Sequence, residues 1–384
     1  RSWEKERNEK IMEMFNTDGW TCKRCIKEPC MFAIRDLQGK RVWVLVWTDD
    51  CDCVGEGDEV LNEVFKRVNA KWASKIVDPS FVLGMKRTVS RTASGAVEVE
   101  LSMTAFVESL EESFKEFVIG KTISTPVTPG FTTSIAEKSA EEENKAVLSR
   151  GYQRLFGSML WAARGCFPEC LNGCSVLGRV MSKPTENAWT EACHMLTYMI
   201  QHKTNSIKYS SEGNMMPIAF VDASNKADPA DSKCQYGYTH LSMGGSVIAV
   251  SKKLSHVGLS AAHNEYMAVH WANRHTAWLR DLLAEMEIDE IGQEPTVTYA
   301  DNRAANLLCE EDIITCGNQF MQVPYHYNKE AVEMGIAVMR YIQSADNLAD
   351  ILTKAVSQQV IERLLPAMIG QRAPTLPPTE KAHH

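Results

Sequence analysis

Apolar and polar positions along the 384 residues change period from zone to zone. Val42–Thr48 reads as a strand rich in Val and Trp, and it runs into Asp49-Asp50, which predicts a β–turn–β element. Asp58–Lys71 then has helical spacing. A second zone stays helical: Met103–Phe117, Tyr152–Cys166 and Ala188–His202 repeat apolar residues every three or four positions. Trp189, Ala192, Leu196 and Met199 mark the buried stripe of the last of these. Between them lies a stretch rich in Thr, Ser, Pro and Glu, which predicts a loop over 120–147.

From about Met216 the period shortens again. Pro217–Val221 is a strand ending at Asp222, and Tyr236–Met243 and Ser246–Lys253 alternate around Gly244-Gly245, a hairpin signal. Ser260 is placed to cap a long helix reaching Met286. Thr296–Ala300 is a short strand stopping at Asp301, and a short helix follows. Tyr325–Glu333 is helical, Ile336–Ile342 is a strand, and Asp346–Lys354 opens the last helix with Asp346 as its N-cap. The order β-β-β-α-β-α-α-β-α predicts an α/β fold, a mixed five-stranded sheet with helices packed on it.

The long helix carries one anomaly. Ala261, Glu265, Ala268, Ala272, Leu279, Leu282 and Met286 form a single apolar stripe, and Glu265 lies on it. A carboxylate facing a core is costly unless a cation or strong donors meet it. Three other acids stand where elements end: Asp222 and Asp301 after strands, Asp350 near the start of the last helix. Side chains at such places can converge over one edge of a sheet. Four converging carboxylates would suit a pair of Mg²⁺ (or Mn²⁺) ions, which bind hard oxygen ligands and can drive phosphodiester cleavage. Each acid has a plainer reading: Asp301 as a helix cap, Asp222 as a turn residue, Asp350 as a solvated helix acid.

Bulk properties narrow the class without choosing it. The 44% hydrophobic and 23% charged content is ordinary for a globular protein, and the length predicts two or three domains. No apolar run reaches the ~20 residues of a membrane span, so no membrane partner is expected. The twelve cysteines lack regular spacing, which predicts an intracellular, reducing compartment. Cys22, Cys25 and Cys30 have no fourth ligand at a zinc-like spacing and read as free thiols. Cys166, Cys170 and Cys174, four apart, are expected on one face of a helix as small core residues. After residue 210 the chain holds 13 Lys and Arg against 21 Asp and Glu, which accounts for the whole net charge of −8. Charge alone does not suggest nucleic acid. The first residue is Arg1, which fits a segment that begins inside a longer reading frame.

Several motifs together resemble the C-terminal part of copia-type LTR retrotransposon Pol polyproteins. AFVDASNKADPADSKCQYGY, around Asp222, resembles that family's first two ribonuclease H strands. The run from MGGSVIAV to RDLL is similar to its third strand and long helix, with Glu265-Tyr266 as the Glu-Tyr pair. YADNRAAN carries Asp301-Asn302, and YHYNKEAVEMG with ADNLADILTKA matches the closing run, with Asp350 in it. The resemblance implies a ribonuclease H-like domain over 211–365. It implies catalysis by Asp222, Glu265, Asp301 and Asp350 through two metal ions, and an RNA–DNA hybrid as substrate. His326 is a possible accessory, although packing is the role its position suggests.

Upstream, Val46–Asp50 resembles the polymerase Tyr-Val-Asp-Asp hairpin with Trp47 and Thr48 substituted, so Asp49 and Asp50 would be a polymerase remnant. That family needs a third aspartate from an earlier strand, and DNA synthesis by this chain alone is not expected. The implied layout is a partial reverse transcriptase palm over 1–105 and a helical thumb or connection over 106–210. The ribonuclease H-like domain follows, then a disordered tail over 366–384, and upstream polymerase segments are possible partners. Two departures stand out: Gln319–Gln322 replaces a Lys-His-Ile-Asp run, and Asn225 replaces a second aspartate. These departures leave an alternative, a decayed or repurposed copy acting as a non-catalytic nucleic-acid-binding or scaffold module.

Overall fold

A computed structural model describes residues 2–48, 50–131, 140–224, 231–258, 260–288, 294–310 and 322–378. The chain divides into two compact units, 1–82 with 277–292, and 83–276 with 293–384. In the first, α1 (Ser2–Phe15), β1 (Thr21–Arg24), β2 (Met31–Arg35), β3 (Arg41–Trp47), β4 (Asp50–Gly55), α2 (Asp58–Lys71) and β5 (Phe81–Val82) follow in order. Strands β1 to β4 form an antiparallel meander. The period-2 pattern of β3 sends Val42, Val44 and Val46 into a core with Phe15, Phe32, Ile34, Val60 and Val64. The expected hairpin is present, with Trp47 paired to Asp50, while Asp49 lies outside the described residues. Cys22 and Cys25 are buried free thiols, and Cys30 is half-buried and also free.

The second unit begins with β6 (Met85–Arg91) and β7 (Val97–Ser102), followed by α3 (Thr104–Ser113), α4 (Glu141–Ser149), α5 (Tyr152–Gly165), α6 (Leu171–Leu177) and α7 (Glu186–Gln201). Strand β8 (Ser206–Ser210) returns to pair antiparallel with β7. Residues 83–105 therefore share a sheet with the end of the segment 106–210. The loop expected to run to 147 closes sooner, because Glu141, Glu142 and Glu143 fill the first turn of α4, where the helix dipole favours anions. Cys166, Cys170 and Cys174 are buried, but not on one helix. α5 ends at Gly165, and Pro168 opens a short 3₁₀ turn before α6.

The five-stranded sheet has the predicted composition and connections. Its strands are β9 (Ile218–Ala223), β10 (Gln235–Ser242), β11 (Gly245–Lys253), β12 (Thr296–Ala300) and β13 (Ala337–Tyr341), in spatial order β11-β10-β9-β12-β13. The first three are antiparallel, and β12 runs parallel to both β9 and β13. The hairpin turn is Met243-Gly244, one residue before the expected Gly-Gly pair. Both residues have positive φ (54° and 91°), as a type I′ turn requires. The helices are α8 (Ala261–Glu285), α9 (Arg303–Glu310), α10 (Gln322–Glu333), the single-turn α11 (Asp350–Thr353) and α12 (Gln358–Met368). Among the described residues, no helix is long and apolar enough to cross a membrane.

Two apolar clusters use this sheet. Val221, Ala223, Tyr236, Tyr238, Ala300 and Met339 pack with Tyr266, Ala268, Val269 and Ala272 of α8. Phe220, Leu241 and Tyr299, of opposite parity on their strands, join a larger cluster with α5, α6, α7, α11 and α12. The helical segment before residue 210 thus shares one core with the sheet after it. Residues 366–370, expected to open a disordered tail, instead finish α12 and dock. The Ile369 carbonyl accepts from the Lys208 N–H at 2.9 Å.

The end of the sheet corrects one expectation about capping. Residues 346–354 do not open the last helix: a 3₁₀ turn (Ser344–Asp346) precedes α11, and α12 is separate. Nor does Asp346 cap. Asn347 instead closes an Asx turn ahead of the helix from a fully buried position, its Oδ1 accepting from the Ala349 N–H (3.1 Å) while its Nδ2 donates to the Val221 carbonyl (2.8 Å). Asn347→Ala should therefore cost about 1–3 kcal/mol in a urea unfolding experiment. Asp346→Ala should stay within about 0.5 kcal/mol of the parent. A larger loss for the Asp346 variant would restore the original assignment.

Candidate metal centre

The sheet register brings the first two acids together. Asp222 sits within β9, opposite Gly237 of β10, and is 2% exposed. Ala300, the last residue of β12, pairs in parallel with Val221. Asp301 therefore leaves its strand beside Asp222, at the same edge. Asn302, not Asp301, caps the next helix, accepting from the Ala305 N–H at 3.1 Å. That division of labour leaves the Asp301 carboxylate for the sheet edge.

Glu265 arrives from above. Ser260 caps α8 as expected, its Oγ accepting from the His263 N–H at 3.1 Å. Residues 263–270 are all buried, so this stretch of helix is enclosed on every side rather than along one stripe. Asp222, Glu265 and Asp301 each offer one carboxylate oxygen, and these three atoms lie within 4.8 Å of one another.

Asp350 belongs to the neighbourhood but not to that trio. It opens α11, which lies against the sheet where β10 has Gly237. A Cβ there would come 2.6 Å from Leu352 Cβ, so only glycine admits this approach. Lys354, one helical turn on, joins Asp350 to the trio: its Nζ is 2.7 Å from Asp350 Oδ1 and 3.3 Å from Asp222 Oδ2. Thr353 Oγ1 donates to Asp222 Oδ2, and Ser344 Oγ donates to Asp301 Oδ2. These three partners were not singled out from the sequence. Thr353 and Lys354 could have been, since they fall three and four residues after Asp350 and share its helical face. Nothing in the sequence marks Ser344.

Desolvation dominates the electrostatics of the trio. Burial pushes the Glu265 carboxyl up from 4.5 to about 9, with the nearby Asp222 and Asp301 charges adding to it. A backbone hydrogen bond from Ala223 and the Lys354 charge oppose the shift. Asp222 is also raised by burial, against the pull of Lys354, and Asp301 by burial against the Ser344 hydrogen bond. Glu265 Oε2 is buried and has no hydrogen-bond partner among the described residues. An all-carboxylate donor set with an unpaired, buried oxygen fits Mg²⁺ or Mn²⁺, which bind hard oxygen ligands.

The other expected site residues lie apart from this geometry. Asp50 begins β4 in the first unit and is exposed. His326 is exposed on α10, so the packing role expected of it does not hold. Asn225 and residues 319–321 lie outside the described residues.

No family model matches the chain. It is 23% identical over 355 residues to the retrovirus-related Pol polyprotein from transposon TNT 1-94 of Nicotiana tabacum, covering 92% of this chain and 26% of the relative. It is likewise 23% identical over 352 residues to the retrovirus-related Pol polyprotein from transposon RE1 of Arabidopsis thaliana, covering 91% of this chain and 23% of the relative. The chain thus spans about a quarter of the length of the curated relatives it matches. Among solved structures it is similar to RNase H1 from the halophilic archaeon Halobacterium salinarum NRC-1, at 15% identity and a TM-score of 0.28. That match covers 36% of this chain and 93% of that one.

The raised Glu265 carboxyl has a signed consequence for stability without metal. In the folded chain it is protonated up to about pH 9, and in the unfolded chain it ionises near 4.5. Its contribution is therefore fully present below pH 4.5 and is lost as pH rises through about 9. Glu265→Gln removes that dependence. In EDTA, the melting temperature of the variant minus that of the parent should grow steadily between pH 5 and pH 9. A constant or shrinking difference would mean Glu265 is ionised in the folded protein.

Proposed function

We propose, for a chain whose homologues are retrovirus-related Pol polyproteins of copia-type transposons, that residues 211–365 cleave the RNA strand of RNA–DNA hybrids using two divalent metal ions. In this reading residues 1–105 are the edge of a polymerase palm, and 106–210 its thumb or connection. The observation that carries the reading is the meeting of Asp222, Glu265 and Asp301. They come from two strands and a helix far apart in sequence, and their oxygens gather within 4.8 Å. Burying two acids and half-burying a third beside them is unfavourable for folding, and nothing in the packing of the sheet requires it. A site for cations explains the arrangement.

Asp222, Glu265 and Asp301 would hold one ion, and Asp222 with Asp350 the other. Bound divalent ions supply an activated water and charge stabilisation at the leaving oxygen. The chain's own groups do the positioning. Thr353 and Ser344 fix the Asp222 and Asp301 carboxylates through hydrogen bonds, so that their free oxygens keep one direction. Asn347 ties the turn before α11 to β9 and sets the height of Asp350.

Recognition of a hybrid would rest on shape and hydroxyl contacts rather than base reading, because a hybrid exposes 2′-hydroxyls in a wide minor groove. The acidic balance after residue 210 means phosphate contacts come from scattered cations. Arg303 is exposed two residues after Asp301, its guanidinium 4.3 Å from the Tyr341 ring centroid. Lys252 is exposed on β11, and Lys253 beside it pairs with Asp231 at 2.7 Å.

A labelled-hybrid assay tests the reading. With Mg²⁺ or Mn²⁺ the chain should cut only the RNA strand, with little sequence preference, and binding should weaken as salt rises. Glu265→Gln keeps the shape but removes a ligand charge, and should slow cleavage by about 100-fold or more. Equal cleavage by the Gln variant would remove Glu265 from the chemistry. Hybrid binding by the parent without any cleavage would favour the non-catalytic module instead.

A further inference from the structure

The two halves of the acidic site are compensated differently. Among the described residues neither Glu265 nor Asp301 has an ion pair, whereas Asp222 and Asp350 share one lysine. We propose that Lys354 is a built-in counter-cation occupying the position between Asp222 and Asp350, so that a metal ion can enter there only by displacing an ammonium. The inference rests on the two-ion reading above and adds to it a device that sets the affinity of the second ion.

The geometry separates this ammonium from an ordinary surface lysine. Exposed ion pairs join two solvated groups and contribute little. Here one partner, Asp222, has only 2% of its side chain exposed, and the other, Asp350, 16%. Lys354 itself keeps 43% of its side chain in solvent. The carboxylates are thus fixed in place by the sheet and by α11, while the cation between them sits at the mouth. A lysine ammonium on a flexible four-carbon stem is strongly hydrated, so it can leave for water at low cost. Asp222 cannot follow it, since β9 is hydrogen-bonded on both sides.

The placement also defines an order of loading. The first ion meets Glu265, with its unpartnered Oε2, and Asp301, neither ion-paired among the described residues, and shares only Asp222 with the lysine, whereas both carboxylates of the second position are held by it. The second must compete with a resident positive charge. Metal binding at the two positions is then unequal by construction, and the inequality resides in one side chain.

Titration of the full chain with Mn²⁺, following the free ion by electron paramagnetic resonance without substrate, tests this directly. The parent should show a tighter and a weaker class. In Lys354→Met the weaker class should tighten by about tenfold, the usual size of a coupling between two binding events, while the tighter class moves little. Lys354→Arg, which keeps the charge, should titrate like the parent. Lys354→Gln gives the same comparison if the methionine variant fails to fold. A gain confined to the weaker class is the diagnostic result, because loss of a merely nearby positive charge would tighten both classes together. An unchanged or weakened second class in Lys354→Met would overturn the proposal, and if Glu265→Gln still abolished the tighter class, the two-ion reading would stand without it. Absence of both classes in the parent would overturn the two together.

Discussion

Asp222, Glu265 and Asp301, two buried and the third half-buried, hold carboxylate oxygens within 4.8 Å of one another, and their mutual repulsion is the constraint that the rest of the second unit answers. At that spacing two ionised carboxylates repel by about 3–4 kcal/mol for an effective dielectric near 20. The folded chain meets this in three ways. Glu265 keeps its proton, Asp222 and Asp301 each accept a hydroxyl, and Lys354 brings a positive charge to the open side. Each response is partial, and the proposed cations would complete the compensation.

The scaffold holds the acids against that repulsion by placing them on elements that cannot move apart independently. β9 and β12 are neighbours in one sheet, so separating Asp222 from Asp301 would break a parallel ladder. The sheet has apolar clusters on both faces, one under α8 and one shared with α5, α6, α7, α11 and α12. Gly237 admits α11 to the sheet, and Asn347 hydrogen-bonds the turn before it to the Val221 carbonyl, next to Asp222. The buried side chains around the site are thus mostly devoted to fixing its height and register. The helical segment before residue 210 takes part through its share of the common core.

Much of this was legible in the residues. The strand and helix order after Met216 followed from period alone, and Glu265 announced itself as an acid on an apolar stripe. Ser260 acts as the cap its position implied. What failed was local and had a physical cause in each case. Asp346 and Asn347 both suit the turn ahead of α11, and the Val221 carbonyl, from a distant strand, holds Asn347 there. The hairpin shifted by one residue because Met243 accepts a positive φ, which composition does not predict. Ser344 meets Asp301 across 43 positions of chain, and no spacing rule reaches that far. The exposure of His326 depends on how α10 is rotated, and a Tyr-His-Tyr triplet does not specify that.

In the proposed function these carboxylates form one centre for two cations. A crystal of the chain grown with Mn²⁺, with anomalous differences measured at the manganese edge, tests it most directly. Two peaks are expected about 3.5–4 Å apart, one touching Asp222, Glu265 and Asp301 and the other Asp222 and Asp350, with the Lys354 ammonium moved away from both. A single peak away from Glu265, or none among the four acids, would contradict it.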